Sequence, residues 1–276
     1  MRKKICIIIV SMALAVGTSL LVKALPLGIS NAYATPDKGK TCSRCHGPNS
    51  KNTPKELRGY TNQLMTETCD GFSSTGSNPY FILEPGFQLI LEGKEKKQYI
   101  HLTITVLNDT ETFKDLDLGD GVAKDVVTRI VKEEETVDGI LAEVSWNYFA
   151  ICNRTNSVFY FGEDVNIYDE TGTNVIDHSG TWYAGENGAR AGIVMPGVIL
   201  LGGKYFQEVA PGVALDRAEI LSMTEALQTP AGVFNNCLKT KETSALERGV
   251  GYKFYAPGIG LIKDGVLELV NYNTIP

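Results

Sequence analysis

Histidine is scarce in this sequence, with three among 276 residues, and tryptophan occurs twice. So few imidazoles leave a histidine-dependent hydrolase little material, and no G-x-S-x-G elbow, Walker loop or H-E-x-x-H occurs. Positive charge is also short. The formal charge is −6, and −10 once residues 1–34, with four basic side chains and no acid, are set aside. Nucleic acid is therefore excluded as a partner, because phosphate binding needs a concentrated basic surface. An acidic chain suits a basic protein partner, or simple solubility. After residue 34 no apolar run is long enough to span a bilayer, which excludes a polytopic membrane protein. With 43% hydrophobic residues, 28 Gly and 11 Pro, the composition also excludes a disordered tail and a collagen-like repeat. The length allows one large domain, or one domain plus a short module.

The N-terminus has the form of an export signal. Arg2, Lys3 and Lys4 precede an apolar run from Ile5 to Val22, and Ala32-Tyr33-Ala34 supplies the small-x-small pattern that a signal peptidase reads. The expectation is a signal peptide over residues 1–34, a mature start at Thr35 and a periplasmic or otherwise extracytoplasmic location. The apolar run has 18 residues, close to the length that crosses a bilayer, so a membrane tether through an uncleaved N-terminal segment is the alternative. Cys6 lies too early, and in the wrong context, to be a lipoprotein cysteine.

Export makes cysteine spacing informative. Thr41-Cys42-Ser43-Arg44-Cys45-His46-Gly47 contains C-x-x-C-H. In that motif two thiols become thioethers to the haem vinyl groups, and the histidine becomes an axial iron ligand. A disulfide, a zinc pair and a chance match are the competing readings. Zinc needs further ligands at suitable spacing, and a thioredoxin-like site needs a βαβ pattern that is absent. Cys42, Cys45 and His46 resemble the haem-binding motif of c-type cytochromes residue by residue, with Gly47 a frequent companion. The resemblance covers residues 35–79 and implies one covalent haem c, a redox partner protein and electron transfer rather than catalysis. It departs from a typical domain in leaving no room for a helix between Thr35 and Cys42.

Thr53-Pro54-Lys55-Glu56 combines an N-cap, an N1 proline and a capping-box glutamate. A helix to about Thr68 is expected, with Leu57, Tyr60 and Leu64 on one side. Met65 is the first candidate for the sixth iron ligand, since a thioether suits an electron-transfer haem. Its competing role is packing in that stripe. His101, His178 and Met195 are rivals, as is an open sixth position. Among the remaining cysteines a Cys152–Cys237 bridge is expected, leaving Cys69 over near the haem segment.

From about Phe81 the pattern becomes alternating apolar and polar residues between turn signals. Phe87 to Leu91 and Tyr99 to Leu107 flank Gly93-Lys94-Glu95-Lys96 as a connection. Val126 to Val137 meets Ile140 to Cys152 across Asp138-Gly139, the strongest hairpin signal in the chain. Val144, Trp146, Tyr148 and Ala150 share the face expected to form core. Further strands are expected over residues 157–163, 165–169, 204–209, 217–224, 233–240, 251–255, 260–263 and 266–272. Connections too short for crossover helices predict a mainly β fold: an up-and-down antiparallel sheet, curved or an open barrel, over residues 80–276.

Val158-Phe159-Tyr160-Phe161-Gly162-Glu163-Asp164-Val165, Ser179-Gly180-Thr181-Trp182 and Tyr255-Ala256-Pro257-Gly258-Ile259-Gly260-Leu261 resemble a family of secreted bacterial β-rich proteins of unknown function. That resemblance supplies no activity or catalytic residues. Glu163 and Asp164 are adjacent, so on a strand they point to opposite faces and form no catalytic pair. Asp115-Leu116-Asp117-Leu118-Gly119-Asp120-Gly121 lacks the terminal glutamate of an EF-hand and reads as a solvated loop. Residues 35–80 carry net +2 and residues 81–276 carry −12, an asymmetry that suits docking of the haem segment on the β domain or on an acidic redox partner. The functions that follow are a monohaem electron carrier, a haem-based gas-binding or enzymatic protein with an open sixth position, and a non-redox secreted β module. In the last, the concave face of the sheet holds an apolar ligand or serves an envelope structure.

Overall fold

The structure, a computed structural model, describes residues 69–118 and 121–275. Cys42, Cys45, His46, Met65 and the helix expected over residues 53–68 lie outside the described residues. The first strands are β1 (Phe72–Ser73), β2 (Ser77–Asn78), β3 (Phe81–Ile82), β4 (Phe87–Glu95), β5 (Gln98–Asp117) and β6 (Ala123–Val137). The middle ones are β7 (Ile140–Cys152), β8 (Val158–Tyr168), β9 (Val175–Asp177), β10 (Trp182–Tyr183), β11 (Arg190–Met195) and β12 (Lys204–Phe206). The last are β13 (Glu208–Val209), β14 (Asp216–Thr229), β15 (Gly232–Ser244), β16 (Gly251–Ala256), β17 (Gly260–Asp264) and β18 (Leu267–Thr274). Among the described residues there is no helix, so the expected mainly β fold is the one observed.

Neighbouring strands pair antiparallel in a sheet of order β12-β14-β15-β16-β17-β18-β4-β5-β6-β7-β8-β11-β13. The two ends of that order, β12 and β13, are separated in sequence by Gln207 alone. The stretch 204–209 thus pairs on one side with β14, Lys204 opposite Glu219, and on the other with β11, Glu208 opposite Ala191. The sheet curls until one stretch of chain belongs to both of its ends, which makes it nearly a closed barrel. Gly192 permits that closure: a Cβ there would lie 2.3 Å from the carbonyl oxygen of Gln207.

Alternation drives the barrel. On β5, Ile100, Leu102, Ile104 and Val106 are buried, while His101 and Thr103 between them are half-exposed. Each such aliphatic contributes roughly 1.5–3 kcal/mol by leaving water. Asp138 and Gly139 turn β6 into β7 with φ of 53° and 79°, the two left-handed residues of the tightest hairpin loop. At the β4–β5 hairpin the turn differs from expectation. Gly93 to Glu95 remain in the strand, Glu95 pairs with Gln98, and Lys96 and Lys97 make the loop. Hairpin ends reach past the packed interior, so charged residues there are compatible with strand.

Two features of β7 need correction. Val144, Tyr148 and Ala150 are buried as expected, but Ser145, Asn147 and Phe149 are the residues that face the barrel interior. The opposite face is covered because Phe113 and Tyr183 pack on Tyr148, with ring centroids 5.6 and 6.2 Å away. The disulfide joins Cys69 to Cys152, not Cys152 to Cys237, with Cα atoms 5.7 Å apart. β1 pairs with the end of β7, Phe72 opposite Cys152, which brings Cys69 to that edge. Cys237 sits on β15 as a buried free thiol. Strand pairing therefore begins within the stretch assigned above to the haem segment, and Phe72 packs edge-on against Phe159 and Phe161.

Candidate functional site

Charged side chains occupy a layer of the barrel interior. Lys253 on β16 is 6% exposed, and its Nζ lies 2.9 Å from Glu242 Oε2 and 3.8 Å from Asp264 Oδ2. Gln207 Nε2 donates to Glu242 Oε1 at 3.2 Å. On the closing stretch, Glu208 is fully buried and one of its carboxylate oxygens accepts the backbone N–H of Asp216 at 2.5 Å. Among the described residues its other oxygen has no hydrogen-bond partner, nor do the hydroxyls of Tyr205 and Thr240. Across the interior, Tyr160 donates to Asn147 at 2.6 Å, and Asn147 donates to Ser145 at 3.0 Å.

A backbone irregularity on β8 adds to this layer. Tyr148 pairs with Gly162 and Phe149 with Tyr160, so Phe161 is the extra residue of a bulge. Tyr160 and Glu163, three positions apart, therefore face the same interior. Asp164 faces the other way and accepts the hydroxyls of Tyr148 and Tyr183. The expected separation of Glu163 from Asp164 is what the strand produces.

Burial controls the ionisation of these groups. It pushes the Glu133 carboxyl up to about 7, with Lys253 pulling the other way and Glu143 and Asp264 adding to the rise. Burial, then Glu143 and Glu133, push Glu135 up to about 9. Asp264 rises to about 7 by burial despite Lys253, and Asp216 rises to about 7 by burial. Glu163 and Glu208 are raised well above the ordinary carboxylate range for the same first reason. Burial opposes the charge on Lys253, but Glu242 and Asp264 outweigh it and raise its pKa. The layer thus holds several carboxyls at the edge of protonation around one ion-paired lysine. Among the described residues no three His, Cys, Asp or Glu side chains are grouped to hold a metal ion.

Next to this layer lies an apolar cavity, with about 70 Å³ open to the centres of water-sized molecules. Phe81, Phe87, Leu89, Ile104, Phe149 and Leu261 supply much of its wall, and Glu133, Lys253 and Tyr255 are its polar members. Phe81 and Ile82 come from β3, part of a strap held by the Gly258 N–H donating to the Pro79 carbonyl at 2.7 Å.

The rival haem ligands are placed as follows. His101 lies with Nδ1 3.0 Å from Glu92 and Nε2 3.2 Å from Thr103. His178 has Nδ1 2.8 Å from the Val165 carbonyl, and Met195 is fully buried. Asp115 to Asp117, expected in a solvated loop, instead form the end of β5, where Leu116 pairs with Lys124; Leu116 and Leu118 are buried, and the Asp117 carboxylate accepts the Gly121 N–H at 3.0 Å. Sequence reasoning missed Glu133, Glu242, Lys253 and Asp264. The available signal was parity: Glu133 and Glu135 continue the inward positions of Val131 on β6.

No family model and no curated protein matches the chain. Among solved structures, a protein described as a putative lipoprotein from Parabacteroides distasonis is similar over 72% of this chain and 100% of its own, at 15% identity and a TM-score of 0.32.

Proposed function

We propose that the chain is an extracytoplasmic monohaem c-type protein that relays single electrons, with the barrel as scaffold or docking surface for a redox partner. The observation that carries this reading is Cys42-Ser43-Arg44-Cys45-His46 behind an export signal. Two thiols and an imidazole at that spacing are the donor set for one covalent haem c, which supplies a one-electron couple when bound. The pairing of the other cysteines supports it. Cys69 and Cys152 are bonded to each other and Cys237 is buried, which leaves Cys42 and Cys45 as the thiol pair of the mature chain. A disulfide between residues 83 positions apart also belongs to an oxidising compartment. Met65 is the proposed sixth ligand. Its rivals are engaged elsewhere, His101 with Glu92 and Thr103, and Met195 in the core.

The test is a visible spectrum of the protein exported with cytochrome c maturation machinery, oxidised and then reduced with dithionite. Sharp ferrous α and β bands, abolished in a Cys42→Ala, Cys45→Ala double variant that keeps its β-sheet circular dichroism, are expected. Met65→Ala then shifts the haem toward a high-spin spectrum that binds carbon monoxide. A high-spin ferrous haem in the unaltered protein instead indicates gas binding or catalysis at an open position. Absence of covalent haem refutes both and leaves the non-redox reading, a secreted β module.

A further inference from the structure

The interior cavity has a chemistry of its own, independent of the haem motif. Its wall is apolar except where Glu133, Lys253 and Tyr255 reach it. Lys253 is already held by Glu242 and Asp264 at 2.9 and 3.8 Å. The Glu133 carboxylate makes no hydrogen bond or ion pair among the described residues. Glu133 is thus a half-buried carboxylate beside hydrocarbon, with cavity space in front of it and with only the field of a lysine already held by two other carboxylates to balance it.

We propose that this cavity binds a small apolar molecule bearing a protonated amine, its ammonium on Glu133 and its hydrocarbon against the aromatic and aliphatic wall. Three arguments select that class. A carboxylate facing hydrocarbon is costly unless paired, and a ligand cation offsets the cost with a charge-assisted hydrogen bond. An anionic head meets an interior where Glu133, Glu242 and Asp264 share one lysine, so it is repelled. A neutral ligand fills the wall but leaves Glu133 unpaired. The volume limits the apolar body to a short chain or a single ring.

Calorimetry on the exported full chain tests this with three probes of one length: n-hexylamine, n-hexanol and hexanoate at pH 8. Hexylamine is expected to bind about tenfold or more tighter than hexanol, and hexanoate most weakly. Glu133→Gln, nearly isosteric, is expected to lose the amine preference while hexanol affinity stays unchanged, which also shows the cavity intact. Lowering the pH to 5 weakens hexylamine and spares hexanol, because Glu133 takes up a proton. The groups that bear on that proton are Glu135 on β6 itself, Glu143 on β7, Tyr160 and Glu163 on β8, Lys253 on β16 and Asp264 on β17. Hexanoate binding as tightly as hexylamine, an undiminished amine preference in Glu133→Gln, or no binding of any probe overturns the proposal. None of these readouts requires haem, so the proposal stands or falls apart from electron transfer.

Discussion

Arg129 is 8% exposed and sits where β5 loses its regular pairing with β6, between Val106 and Thr110. There its guanidinium takes the place of ladder partners. Nη1 donates to the Asn108 carbonyl at 2.6 Å, with Leu107 and Asp109 oxygens at 3.4 Å, and Nε donates to Ser74 at 2.8 Å. One side chain thus ties the strap before β2 to the irregular part of β5. Arg129→Met removes those charge-assisted donors and is expected to lower unfolding free energy by about 2–3 kcal/mol in denaturant titrations. A loss below about 1 kcal/mol indicates that water replaces the guanidinium. The disulfide acts on the other reference state. Closing a loop between residues 83 apart restricts the unfolded chain, so Cys69→Ala with Cys152→Ala is expected to cost about 4 kcal/mol. The same titrations measure it, and an unchanged midpoint refutes the assignment of stability to this bond.

Among the strands, hairpins were legible wherever a turn signal stood between alternating runs. Asp138-Gly139 is the clearest, since both residues adopt positive φ, and the expected runs over residues 204–209, 251–255 and 260–263 all pair as strands. Three features were not legible, each because it arises between strands rather than along one. The Phe161 bulge depends on how β8 meets β7. The Cys69–Cys152 bond depends on β1 pairing with β7, which two residues of strand do not announce. The interior charges depend on closure: Lys132-Glu133-Glu134-Glu135 lies in an expected strand, but which of its alternate members point inside is set by the neighbouring strands. The haem motif was legible as spacing alone. At the closing stretch, Gly192→Ala places a Cβ 2.3 Å from the Gln207 carbonyl oxygen and 2.5 Å from its carbon, both backbone atoms. The strands must part there. A loss of about 3 kcal/mol is expected, with faster amide exchange at Ala191 and Glu208 than elsewhere in the sheet. Exchange at unaltered rates in that stretch contradicts a closed barrel.

For the whole molecule, the buried acids set an unusual dependence on pH. Glu133, Asp216 and Asp264 are pushed up to about 7 and Glu135 to about 9, from ordinary values of 4.5 for glutamate and 3.8 for aspartate. Between those limits the native protein holds protons that the unfolded chain has released, so stability falls as pH rises. Glu92 and Asp169 are shifted down and oppose this, but both are half-exposed and screened by solvent. The melting temperature is expected to be higher at pH 5 than at pH 8, and Glu135→Gln is expected to flatten the difference. A melting temperature that rises with pH shows that the carboxyls are ionised in the fold. The pairing of β18 with β4 sets an order of events as well. Thr274 lies opposite Phe87 and Glu268 opposite Glu92, so the strand that begins the main sheet waits for one made almost two hundred residues later. A chain made N-terminus first can join Cys69 to Cys152 when only β1 to β7 exist, while β4 still presents an unpaired edge. Until the last strand arrives that edge can accept a strand from another chain, so the late docking of β18 sets how long the folding protein is open to aggregation.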